Sequence, residues 1–198
     1  WRAVMPHAIA NRLAKRALEN IPLDYIYNVF EDGNAKRLLK SFSRRMGYLH
    51  ECKEAIEVST RWLSEGSLLG EVSELDDYGI SLFENIAPIK PELTLAAIER
   101  VSKRQNANEF FSRRNPYYIR ISRLLRSIAY DTDLFMRAVD LLCLFALTER
   151  QDENNNSIRY ELKSLFYIYL SGTHATPEQR LKMIEKLVES DDDIRCQL

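Results

Sequence analysis

Cysteine is scarce in this chain, with only Cys52, Cys143 and Cys196 among 198 residues. An odd number without C-x-x-C spacing gives neither a disulfide framework nor a zinc ribbon, and it fits reduced thiols in a cytoplasmic protein. Long apolar runs are missing as well. The longest, Leu141–Leu147, falls far short of the ~20 residues that span a bilayer, so no membrane partner is expected. Charge of one sign is absent in bulk: 28 Lys and Arg against 29 Asp and Glu leave a net charge of −1. No global field therefore draws the chain toward nucleic acid or an anionic surface. None of the six glycines is followed by lysine, which excludes a Gly-Lys-Ser/Thr phosphate loop in this stretch.

Histidine is equally sparse. His50-Glu51-Cys52-Lys53-Glu54 opens like a zinc-protease helix, but Glu54 stands where the second histidine would have to be, too few ligands for zinc. His174 follows Ser171-Gly172-Thr173 on a turn. A Ser–His pair needs an orienting acid and an oxyanion hole, and neither is legible, so His174 reads as a residue that ties down its loop. Glu71, Asp76 and Asp77 are acids among many. No catalytic residue, metal ligand or cofactor site is expected.

What is present is helix. Hydrophobic residues make up 45% and charged residues 29%, a mix suited to a folded globular chain. Pro6 opens a helix to about Asn20 with Ile9, Leu13 and Ala17 on one face. A second helix follows Pro22, burying Ile26, Val29 and Phe30, until Asp32-Gly33-Asn34 breaks it. From Ala35 to Met46, Leu38, Leu39, Phe42 and Met46 form a stripe, ended by Gly47. Another helix covers His50 to Ser64 with Ala55, Ile56 and Trp62 inward. Ser67 to Gly79 reads as a loop or a short hairpin. Pro88 and Pro91 mark a joint, and Gln105 to Asn108 a second break. Beyond Pro116, Ile121, Leu124, Leu125 and Ile128 face inward. The helix after Thr132 is apolar nearly all round and reads as the central one of its half. Ile158, Leu162, Leu165, Phe166 and Tyr169 stripe the next helix, which Gly172 ends. Thr176-Pro177-Glu178-Gln179 is a capping box with Pro at the first helical position. The expected fold is all-α, a helical bundle running into a short α-solenoid, with subdomains at 1–90 and 91–198.

Two basic faces are the candidate interaction surface. Lys36, Arg37, Lys40, Arg44 and Arg45 form one cluster. Arg113, Arg114, Arg120, Arg123 and Arg126 form the other, beside Tyr117 and Tyr118. Arginine next to aromatics can hold phosphate and stack bases. Such faces also arise because an amphipathic helix needs a solvated side, or because Arg meets acids on a neighbouring domain. Near-neutral net charge favours the second reading.

Three segments carry a family resemblance: Trp1–Ala14 (WRAVMPHAIANRLA), Lys40–His50 (KSFSRRMGYLH) and Leu170–Arg180 (LSGTHATPEQR). They resemble the helical region that follows the nucleotide-binding core in some bacterial STAND-type P-loop ATPases, which are signalling switches and antiphage sensors. The resemblance implies a nucleotide site upstream of Trp1 and an N-terminal half holding a degenerate winged-helix element, with Ser67–Gly79 as its wing. It transfers no functional residue. The opening at Trp1, and the acidic run after Ser190 that reads as a new helix start, give the expectation of a piece of a longer protein. The expected function is a non-catalytic regulatory and protein-interaction region whose partners are other domains of its parent. The alternative is a nucleic-acid-binding module using the same arginines.

Overall fold

The computed structural model describes residues 7–31, 35–150, 152 and 155–189. They form an all-α protein with eleven α-helices, one short 3-10 turn and no strand among the described residues. The chain divides into two compact units, Trp1–Ala97 and Ile98–Leu198. The division falls inside helix α6 (Pro91–Ser102), beyond the Pro88–Pro91 joint.

The first unit contains α1 (His7–Glu19), α2 (Leu23–Glu31), α3 (Lys36–Met46), α4 (Lys53–Leu63) and α5 (Asp77–Ile86). Trp62 is wholly buried at its centre. The Phe30 and Phe42 rings lie 4.8 Å apart and present to Trp62 at 6.3 and 6.1 Å, edge to face. Each such pair is worth about 0.5–1.5 kcal/mol beyond area burial. Helix α3 is fastened to α5 by polar bonds as well. Asn85 Nδ2 donates to Ser43 Oγ (2.9 Å) and the Tyr78 hydroxyl to the Lys36 carbonyl (2.6 Å). Asp76 caps α5 by accepting from the Gly79 N–H (2.7 Å).

Helix α1 uses a different face from the expected one. Ala10 and Leu18 are buried, whereas Ile9 and Leu13 each remain 51% exposed. Ala10 and Leu18 make the contact with the rest of the unit, while Ile9 and Leu13 stand one helical shoulder away, toward solvent. Leu38 on α3 is exposed too. Of the two alternatives for Ser67–Gly79, the loop is what forms. It holds the 3-10 turn Val72–Glu74 and no strand among its described residues, so the hairpin of a wing is not made. The turn is packed instead: Gly66 takes a φ of +71°, and Gly70 lies so close to the Ser64 carbonyl that any Cβ there would overlap it.

The second unit contains α7 (Ala107–Phe110), α8 (Tyr118–Ile128), α9 (Phe135–Leu147), α10 (Ile158–Ser164) and α11 (Pro177–Val188). Helix α9 is its centre, with Phe135, Ala138, Val139, Leu142, Phe145 and Ala146 among its buried residues. Its two charges are paired: Arg137 Nε sits 2.8 Å from Glu99 Oε1, and Asp140 holds Lys186 Nζ at 2.6 Å. Phe110, Phe111 and Tyr118 close around Phe145 with centroid distances of 6.2, 4.8 and 5.2 Å. The capping box forms at α11, where Gln179 N–H donates to Thr176 Oγ1 and Thr176 N–H to Gln179 Oε1.

Helix α10 is shorter than the apolar stripe suggests. It ends at Ser164, and Tyr169 points outward at 85% exposed. The segment beyond finds partners outside a helix. Arg180 Nη1 donates to the Tyr167 carbonyl (2.6 Å), Thr173 Oγ1 to the Ala129 carbonyl (2.6 Å), and the His174 N–H to the Tyr130 carbonyl (3.0 Å). Leu170 takes a φ of +54°.

Candidate functional site

The first basic cluster does not lie on one solvated face. Lys36 is exposed with its ammonium 5.7 Å from the Tyr78 ring centre. Arg37 and Arg44 are exposed, whereas Lys40 and Arg45 are half-buried. Arg45 Nη1 donates to Asn11 Oδ1 (2.8 Å), which joins α3 to α1.

The second cluster is largely turned to its own unit. Arg113 Nη2 donates to the Asn155 and Asn156 carbonyls (3.1 and 3.3 Å), reaches Glu149 Oε1 at 3.5 Å, and lies 4.7 Å above the Tyr118 ring. Arg123 Nη2 donates to Asn156 Oδ1 (3.3 Å). Arg126 is ion-paired with Glu161 and donates to Ser164 Oγ at 3.3 Å. Arg123 and Arg126 fasten α8 to α10 and to the loop before it, and Arg113, ahead of α8, bonds the same loop. Arg120 lies 5.9 Å from the Tyr117 ring centre, and Arg114 is exposed.

At the centre of this network is a residue that sequence reading missed. The Glu149 side chain is fully buried, just past the end of α9. Its carboxylate accepts from the Ile158 N–H (2.7 Å), the Arg159 N–H (3.0 Å), Ser157 Oγ (3.1 Å) and the Tyr118 hydroxyl (3.2 Å), besides Arg113. A buried carboxylate is tolerable only when paired and hydrogen-bonded in this way. Burial, and then the neighbouring Glu149 charge, push the Tyr118 hydroxyl well above the ordinary tyrosine range. The only sequence signal is a single acid closing an apolar helix, eight residues before the Ser157 helix start.

The two histidine motifs resolve locally. His50 pairs loosely with Glu51 at 4.0 Å, and the buried Cys52 thiol donates to Glu54 Oε2 (3.2 Å) at the start of α4. Burial raises the Cys52 thiol, while the Glu54 carboxylate is lowered by its own backbone N–H and by Cys52. The His174 ring packs 4.2 Å from the Tyr130 ring. Among the described residues, no group of three or more His, Cys, Asp or Glu could hold a metal ion, and no helix is long and apolar enough to cross a membrane. The first unit has an open groove lined by Phe30, Glu31, Lys36, Leu39, Leu75 and Leu82 among others.

The remaining surface feature is apolar. Ile168, Tyr169 and Leu170 are 84%, 85% and 99% exposed in succession, and Leu181, Ile184 and Val188 are exposed along α11. Among the described residues these features define an all-helical protein with a polar network around the buried Glu149 and several large apolar side chains exposed. No family model, no curated protein and no solved structure matches the chain.

Proposed function

We propose that this chain is a non-catalytic regulatory and protein-interaction region, cytoplasmic, within a larger signalling ATPase of the kind its sequence resembles. The observation that carries the reading is the contrast between the two surface chemistries. Arg113, Arg123 and Arg126 are engaged by Glu149, Asn156 and Glu161, whereas Ile168, Tyr169 and Leu170 stand in water. Exposed apolar side chains of this size favour a protein partner. Arginines already bonded to carboxylates and carbonyls have little left for phosphate. The parent would act as a switch if such a surface is covered in one state and open in the other.

The test is made on the intact protein. ATP turnover is measured for the parent and for Ile168→Asp and Leu170→Asp variants, together with duplex DNA and RNA binding across salt. The expected outcome is a nucleotide-binding parent whose turnover the substitutions change, with no nucleic-acid binding at about 0.15 M salt. A parent that holds no nucleotide, and whose affinity for duplex falls steeply with salt, would establish the nucleic-acid alternative instead. Lys36, Arg37 and Arg44 would then be the residues to substitute.

A further inference from the structure

Helix α1 carries an apolar row that the described residues of its unit leave open. Ile9, Leu13 and Ala17 recur every four residues and are exposed. At 100° per residue they occupy one shoulder of the helix, beside the buried positions Ala10 and Leu18. On the far border of the row stand Arg12 and Arg16, also exposed, one helical turn apart. Among the described residues no carboxylate pairs with either side chain. Lys15 lies elsewhere, near enough to Glu54 of α4 to lower its pKa, and Glu19 is the one acid on the helix.

An apolar row with a basic border has a defined complement. We infer that α1 docks an amphipathic helix of a partner protein or domain, with apolar residues at three- and four-residue spacing and Asp or Glu along the edge that meets Arg12 and Arg16. This rests on the protein-interaction reading above and names the partner chemistry for one of its surfaces. A docked amphipathic helix is recognised through apolar anchors at three- and four-residue spacing. A lipid surface would need more. An interfacial helix buries a whole apolar face some 5–10 Å into the headgroup boundary, whereas on α1 the Ala10 and Leu18 side is already packed against the protein.

A photo-crosslinking residue at position 13 of the intact protein, activated in its native host, tests this directly. The adduct is sequenced and its yield compared with the Arg12→Glu/Arg16→Glu double variant. The same probe at the exposed position Tyr130 serves as control. The expected adduct is a segment with an apolar stripe and at least two acids within a turn of it. Its yield should fall about fivefold or more on charge reversal, as two rim ion pairs turned repulsive would require. A lipid adduct, an adduct on a segment without acids, a yield indifferent to the reversal, or no adduct beyond the Tyr130 control would overturn the inference. Failure here is distinguishable from failure of the wider reading. A probe at Ile168 that captures protein while position 13 captures none would leave only the α1 docking site refuted.

Discussion

Glu149 draws five donors to one buried carboxylate, and it is the acceptor for the Ile158 and Arg159 N–H groups at the start of α10. Replacing it with alanine strands the Ile158 and Arg159 N–H groups and removes one carboxylate from the Arg113 guanidinium. Breaking a buried charge pair from one side costs about 3–5 kcal/mol. Glu149→Ala should therefore lower stability by that amount in denaturant titration, and hydrogen exchange should show lost protection over α8 and α10. Tyr118 supplies a pH prediction. Its folded pKa is raised above the unfolded value of roughly 10, so above that pH the unfolded chain releases a proton that the folded chain keeps. Stability then falls as pH rises past ~10, and is unaffected by Tyr118 below it. Tyr118→Phe should cost about 1–2 kcal/mol at neutral pH yet flatten this alkaline decline in a melting-temperature profile. Gly70 makes a steric prediction. A methyl group there meets the Ser64 carbonyl, which is backbone and cannot swing aside, so Gly70→Ala should cost about 1–3 kcal/mol.

Among the elements, legibility in the sequence followed the strength of the local signal. The capping box of α11 could be read because both halves of its reciprocal bond lie within four residues. Thr176→Ala should cost about 1 kcal/mol by thermal melting. The all-round apolar pattern of α9 was legible for the same reason, since nothing but burial stabilises such a helix in water. Helix α1 was readable as a helix but not for its buried side. The choice between the Ile9–Leu13 row and the Ala10–Leu18 row depends on how closely a neighbour approaches, which periodicity does not encode. Helix α10 was overextended to Gly172 because the stripe through Tyr169 continues past Ser164. What holds the chain beyond it is remote: Arg180 donates to the Tyr167 carbonyl, Tyr130 accepts from the His174 N–H, and Ala129 accepts from the Thr173 hydroxyl.

At the scale of the whole molecule, the all-α class was legible in composition, apolar periodicity and helix punctuation. The arrangement of the arginines was not. Arg113, Arg123 and Arg126 share a helical face or its approach, and on sequence alone they could serve a phosphate backbone or a carboxylate equally well. Their destinations are Glu149, Asn156 and Glu161, which lie 36, 33 and 35 residues further along and come within reach only once α8, α9 and α10 have packed. The same distance hid Glu149, whose neighbours in the chain give no hint of burial. A site built from dispersed residues leaves no compact motif, and only the three-dimensional arrangement separates a solvated basic face from an internal clamp.

The order of these partners along the chain has a consequence for synthesis. Domains generally form from the N-terminal side as the polypeptide leaves the ribosome. Arg113 and Tyr118 emerge first, then Glu149, and the Ile158 and Arg159 amides last. Until residue 159 is free, the carboxylate at the end of α9 has only part of its donor set and must stay near water. The second unit thus completes late: a nascent chain arrested just before Ser157 would carry a finished α8 and a loose end to α9. The seven residues of α10, too few to hold a helix in isolation, are the latch that closes it.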